Sequence, residues 1–261
     1  GEMIRLLERN GLKFGADTNA STSFEYTDYR LDLPRNDPAL LDVALMLMRE
    51  TASELTISNE AVDRERGVVL SELRDRNTYA LKNAIDSADF SYPRARYGDR
   101  FPIGTVETLN AATGESLRRF WQRAYVPSQT TLVVVGDFDP ELVEAAIERH
   151  FASWQARGAE PQPSAGPVDP QDKGRTHVYL DPALPERLEI ERHGPWLDEP
   201  DSAEVRREKL LRAIGYGIVN RRFQRIAREA DAPFRGAGFG TGEVFEAARS
   251  TRLIVDVADR K

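Results

Sequence analysis

Cysteine is absent from the 261 residues, which excludes disulfides, thiolate metal sites and a cysteine nucleophile. That absence suits the cytosol and the periplasm equally. Histidine is almost as scarce, with only His150, His177 and His193, so no local catalytic triad or zinc motif can be assembled. His177 and His193 lack a second histidine or an acidic residue at metal spacing. No run approaches the ~18 consecutive apolar residues of a membrane helix, so no span is expected. Basic excess is missing too. The net charge of −7 and pI near 5.2 argue against a nucleic-acid partner, which needs a basic footprint. There is no G-x-S-x-G nucleophile turn. No initiator Met, basic n-region or apolar h-region is visible either, so no signal peptide is read.

What is present fits an ordinary globular chain, with 40% hydrophobic and 30% charged residues. Gly1 to Arg9 reads as an amphipathic helix already under way, closed by Asn10-Gly11. At the far end Leu253 to Val257 reads as a strand with no closing element. The expectation is that both ends are internal to a longer chain. Lys13 to Leu33 carries two extended segments around a small, polar stretch, Ala16 to Thr22. Asp37-Pro38 opens a helix with Asp as N-cap and Pro in the first turn. Ser58 starts another, and Asp139-Pro140 a further one that places His150 near its C-terminus, where a positive charge suits the helix dipole. Further helices are expected near 81–90 and 116–125. The β-branched run Thr130 to Asp137 predicts a central strand.

Residues 156–175 concentrate Gly158, Pro161, Pro163, Gly166, Pro167 and Pro170 with little apolar content, the composition of a linker between domains. Beyond it strands are predicted at 176–180 and 187–192, then a helix from Ser202 to Glu229 and two extended segments. Arginines 206, 207, 212, 221, 222 and 225 lie along that helix and read as a solvated face rather than an anion site. Gly236 to Gly242 is glycine-rich but precedes a strand, so a bent strand or bulge is expected instead of a phosphate cradle.

The helix from Val62 to Arg76 carries the most chemistry. Glu65 and Glu72, seven apart, come to nearly the same face. Val68, Val69 and Leu70 are apolar enough to half-bury it. Two such acids are costly unless paired or bound to a cation. On the residues alone the favoured reading is an arginine-paired surface helix, because Arg64, Arg66, Arg74 and Arg76 are close.

The segment Asp63-Arg64-Glu65-Arg66-Gly67-Val68-Val69-Leu70-Ser71-Glu72-Leu73 resembles the distal-glutamate helix of the M16 peptidases, the family of pitrilysin and insulin-degrading enzyme. Gly11 to Gly15 followed by Asn19-Ala20-Ser21-Thr22 is similar to the family's strand after its zinc helix. Pro127 to Phe138 is similar to a late strand and its exit turn. The resemblance covers most of residues 1–155, and Ile214 to Arg222 fits the start of the family's second domain.

The resemblance implies an α+β fold of two-layer domains, each an antiparallel-rich sheet with packed helices. The peptidase domain would occupy residues 1–155, the linker 156–175, and the start of a second, non-catalytic domain 176–261. It implies that Glu72 is the third protein ligand of a Zn2+ ion and Glu65 a supporting acid. Asn19, Ala20, Ser21 and Thr22 would receive substrate by backbone pairing. The other two ligands and the general base belong to an H-x-x-E-H helix, which the resemblance places just upstream of Gly1. The complete protein is thus expected to be a zinc-dependent endopeptidase acting on peptides or unfolded segments. Its second M16 half would lie in the same chain or in a partner subunit. This chain alone is expected to be inactive and to hold no stoichiometric zinc. The alternative is an inactive homologue serving as a structural or substrate-binding subunit. The resemblance to bacterial export-linked members implies a periplasmic location, with the cytoplasm as the alternative.

Overall fold

The computed structural model describes residues 2–13, 15, 17–155, 165–170 and 173–258. Most of the expected linker, 156–164 together with 171–172, lies outside the described residues. The chain forms two compact units, one from Gly1–Asp75 and Pro102–Pro163, the other from Arg76–Phe101 and Ser164–Lys261. These units cut the chain differently from the division at 155 and 176, because residues 76–101 pack with the second unit.

The first unit begins with helix α1 (Glu2–Arg9) and an antiparallel hairpin, β1 (Thr18–Thr22) and β2 (Thr27–Leu31). Helix α2 (Pro38–Ser53) follows, with the Asp37 side chain accepting from the Ala39 N–H, as the Asp-Pro pair predicts. Helix α3 (Asn59–Arg76) starts where Ser58 Oγ accepts from the Ala61 N–H at 3.2 Å. Short α5 (Val106–Ala111) and α6 (Gly114–Ala124) are each opened by a threonine capping box, Thr105 with Thr108 and Thr113 with Ser116. Helix α7 (Pro140–Phe151) is capped by Asp139. Leu7, Leu12, Leu40 and Leu47 form a buried cluster against which Leu31, Leu33 and Val43 pack. Asp42 of α2 ties α7 to this layer, meeting Arg149 at 2.7 Å and His150 at 2.8 Å. His150 is therefore a structural residue at the end of α7.

In the second unit, α4 (Tyr79–Ser91) is capped by Thr78. The sheet has the order β3-β5-β4, with β3 (Arg187–Pro195), β4 (Phe234–Val244) and β5 (Ala248–Val257) all antiparallel. Helix α8 (Ala203–Ile226), capped by Ser202, packs on β4 through Tyr216 against Phe239 and Phe223 against Phe234. Asn220 donates to the Phe239 carbonyl (3.0 Å) and accepts from its N–H (2.7 Å), covering part of an edge strand that would otherwise be open. The expected irregularity is present, since the β4–β5 register shifts between Phe234 and Gly236. Together the units form the α+β fold expected from the sequence.

Two expected strands are not strands. Thr130 is extended (φ −120°, ψ 133°), and Leu132 and Val134 are half-buried. Val133 and Val135 are 72% and 90% exposed. The alternation is that of a strand, but the run joins neither sheet formed by the described residues. Residues 176–180 behave alike, with Val178 and Leu180 exposed, so His177 is not a strand residue. A strand is defined by a partner's hydrogen bonds, which β-branched composition cannot supply.

A partly buried polar cluster joins β3, β5 and the end of α4. Arg252 Nε lies 2.7 Å from Glu191 Oε1, Arg252 Nη2 donates to Tyr92 Oη at 3.0 Å, and His193 Nε2 is 3.3 Å from Glu191. Burial pushes the Glu191 carboxyl up, but the His193 ring and the Arg252 guanidinium outweigh it and hold it at about 2, against an ordinary 4.5. A depressed carboxyl stabilises the fold above its unfolded pKa and ceases to do so as pH falls through the folded one. Discounted for the screening that solvent gives a partly exposed cluster, stability on the order of 2 kcal/mol is thus expected to be lost between about pH 4.5 and pH 2. Urea midpoints measured across that range should fall more steeply for the native sequence than for Glu191→Gln.

Candidate functional site

The geometry around Glu72 begins with how α3 is held. Arg66 donates to the carbonyls of Leu109, Asn110 (3.2 Å) and Ala112 (2.8 Å), and also to Asp63 Oδ1 at 2.8 Å. It thereby satisfies the carbonyls at the end of α5, which no intrahelical donor reaches. Asn59 Oδ1 accepts from the Gly114 N–H at 2.9 Å. Arg118 Nη2 donates to the Ile57 carbonyl at 2.9 Å, next to the strained backbone of Ile57 (φ 44°). These contacts fix the N-terminal half of α3 on α5 and α6. None was legible locally, because an arginine in a helix gives no sign of which distant carbonyls it will meet.

Glu65 and Glu72 do share a face, as the spacing requires, and Val68 lies between them. That face is not half-buried as expected. Glu65 and Glu72 are exposed, Val68 is 60% exposed, and α3 has no buried residue. The apolar side that turns inward is Val69, Leu70 and Leu73, each half-buried. Glu65 pairs with Arg64 at 3.2 Å on the open surface, a contact worth little by itself.

The two carboxylates are separated by two helical turns, about 10.5 Å along the axis, so one ion cannot take both at ligand distances near 2 Å. Among the described residues no group of three His, Cys, Asp or Glu side chains could hold a metal. His177 is taken up by Asp86 (2.6 Å) and stacks on Phe90, and His193 by the Glu191 cluster. The donors among the described residues therefore do not make up a zinc site by themselves, since such a site takes three protein ligands.

The hairpin residues singled out in the sequence lie together on β1. Asn19, Ala20, Ser21 and Thr22 are all exposed, opposite Arg30, Tyr29, Asp28 and Thr27. Tyr29, directly across from Ala20, reaches Tyr125 with its hydroxyl at 2.7 Å, which fixes β2 to the end of α6. The outer strand β1 pairs on one side, with β2, within the sheet of described residues. The Asn19 side chain accepts from the Ala20 N–H at 2.9 Å. A peptide that needed that donor would have to displace it.

Comparison with known proteins places these features in context. Residues 1–95 match the family model described as insulinase, peptidase family M16, and residues 111–230 match the one described as the peptidase M16 inactive domain. The chain is 33% identical over 158 residues to the probable zinc protease PqqL of Escherichia coli, covering 60% of this chain and 17% of that protein. It is 25% identical over 234 residues to a zinc protease PQQL-like of Arabidopsis thaliana, covering 89% of this chain and 24% of that protein. In three dimensions it is similar to the first half of the periplasmic protease PqqL from Escherichia coli, with a TM-score of 0.85 and 25% identity. That match covers 99% of this chain and 55% of the other. The chain thus spans about a quarter or less of the length of these curated relatives.

Proposed function

Because the chain belongs to the M16 peptidase family, we propose that it is part of a zinc-dependent endopeptidase in which Glu72 supplies one metal ligand. The observation that carries this is the placement of Glu72 on the open face of α3, inside the residues matched by the peptidase model. An exposed carboxylate on a helix anchored through Arg66 lies where a second helix bringing the remaining ligands could meet it. Glu65, on the same face, is the supporting acid. Zinc, when bound, would polarise the scissile carbonyl and acidify a water.

The residues of this chain do two things toward that chemistry. Glu72 adds one negative donor, and β1 offers exposed backbone at Asn19, Ala20, Ser21 and Thr22 for an extended peptide to pair with. The substrate class is therefore peptide or unfolded polypeptide, and the second M16 half is the partner that completes the enclosure. A periplasmic location is supported by the Escherichia coli protease of similar fold, which is periplasmic. No helix among the described residues is long and apolar enough to cross a membrane.

Metal analysis and a quenched-peptide assay test the proposal. This chain alone is expected to retain no stoichiometric zinc after dialysis and to leave the peptide uncut. A longer form carrying an H-x-x-E-H helix is expected to bind about one zinc per chain and to cleave the peptide. Tight zinc binding by this chain alone would overturn the assignment of Glu72. A longer form that neither holds zinc nor cleaves would instead be the inactive, substrate-binding kind of M16 subunit.

A further inference from the structure

Helix α8 rests on the second unit's sheet through Tyr216, Asn220 and Phe223, which helical spacing puts on one side. The turns before Tyr216 stand over a different stretch of that sheet. There Lys209, Arg212 and Tyr216 of α8, Thr241 of β4, Arg249 of β5 and Trp196, just past β3, line a cleft of about 280 Å³. Strand alternation puts Thr241 and Glu243 on the same side of β4 as Phe239, which faces the helix. Arg249 is the ladder partner of Glu243 and so shares that side. The cleft is thus built wholly within one unit, from a helix, two neighbouring strands and a loop.

Its cations stand out from the rest of α8. Of the six arginines along that helix, Arg212 alone is not exposed, so it departs from the solvated face expected for all of them. Arg249 is half-buried as well. The residue across from it on β3 is Gly194, where a Cβ would lie 3.7 Å from Arg249 Nη2. The guanidinium therefore lies across space that a larger side chain would take. Among the described residues, the side chains of Arg212, Arg249 and Lys209 form no hydrogen bond or ion pair, not even Arg249 with Glu243 across the ladder. Guanidinium groups drawn partly out of water ordinarily gain charge-assisted hydrogen bonds in return. Two such groups without them, at one cleft with a lysine beside them, form an anion site.

The rest of the lining selects the anion. Glu199 and Glu243 also border the cleft, so its charged groups leave one positive charge in excess. That balances a single carboxylate better than a phosphate group, which carries close to two negative charges, and the planar arginine fork matches a carboxylate. The volume lies at the small end of ligand sites, too small for a nucleotide. It suits one acidic residue, its stem against the rings of Trp196 and Tyr216.

We propose that this cleft binds a carboxylate on a short stem, the size of one acidic amino-acid residue, through Arg212, Arg249 and Lys209. The site needs neither Glu72 nor zinc.

NMR titrations of this chain test it, read at the Trp196 indole N–H and the amides of 241–243. The probes are free glutamate, a capped tripeptide with a central glutamate, the glutamine version of that tripeptide, and inorganic phosphate. At least one glutamate probe should give saturable shifts and the glutamine tripeptide none, with phosphate at least about fivefold weaker. Arg212→Gln and Arg249→Gln should each weaken the glutamate probe at least about fivefold, on the scale of one charge-assisted hydrogen bond. Lys209→Gln should cost less. Arg207→Gln removes the same charge from an exposed position of the same helix and should change binding by less than about twofold. Tighter binding of the tripeptide than of free glutamate would assign the ligand to a peptide segment, and the reverse order to a free amino acid. The absence of saturable shifts, equal shifts with the glutamine tripeptide, or an Arg207→Gln loss as large as that of Arg212→Gln would overturn the proposal. Should Arg249→Gln disturb the sheet, Arg212→Gln and Lys209→Gln on the helix still decide it.

Discussion

Glu72→Gln, introduced into a longer form that carries the H-x-x-E-H helix, is expected to lower zinc affinity by at least about a hundredfold and to abolish peptide cleavage. The lower bound follows because residues that merely orient a ligand already cost ten- to a hundredfold when lost, and a ligand costs no less. Glutamine keeps the size and the helix propensity but removes the charge that the cation needs. The substitution should leave folding nearly unchanged, because Glu72 is exposed and surface changes usually stay within about 0.5 kcal/mol. Zinc content, catalysis and thermal unfolding read on one preparation separate these effects. Full zinc retention in a folded, inactive variant would move Glu72 from ligand to some other catalytic role. On the same assignment Glu65→Gln should cost less zinc than Glu72→Gln, since the two carboxylates cannot reach one ion together.

The second large effect is on stability. Arg66→Ala is expected to destabilise the chain by about 2–4 kcal/mol, the scale of losing several charge-assisted hydrogen bonds whose contributions do not simply add. Arg66 is 19% exposed, and its loss strands the carbonyls of Leu109 and Ala112, which are partly buried. Arg66→Lys should recover only part of the loss, because a single ammonium cannot span three carbonyls as the planar fork does. Denaturant midpoints of the chain give the comparison, and a change of less than about 1 kcal/mol would show that α5 and α6 are held without Arg66. By contrast, breaking the exposed Arg64–Glu65 pair should be near neutral.

Much of the local structure was legible because its causes are local. Asp37, Asp139, Ser58 and Ser202 announced helix starts through side-chain oxygens that accept from N–H groups two or three residues on. Alternation announced β2, but the small polar stretch expected between two extended segments holds strand β1 itself (Thr18–Thr22), with the turn falling after it; the bulge in the glycine-rich strand followed from the freedom of those residues. The expected strands at 130–137 and 176–180 failed for the complementary reason. Their apolar, β-branched composition records a tendency to be buried and extended, whereas a ladder needs a neighbouring edge, and the sheets of the described residues offer them none. The half-buried acidic face of α3 was misplaced similarly. Periodicity put Glu65 and Glu72 together, but which side of the helix turned inward depended on where α5 and α6 lie.

By itself the sequence determined the family, the fold class and the identity of the carboxylate on which the proposal turns, because each resides in short strings and in spacing along one helix. It also shows no histidine before His150. Only the tertiary structure decided how α3 is held, by Arg66 reaching carbonyls more than forty residues away in sequence, and that residues 76–101 join the unit of a sheet formed far downstream. Such long-range pairings are fixed by which groups remain unsatisfied after the local elements have formed, and that sum is taken over the folded chain.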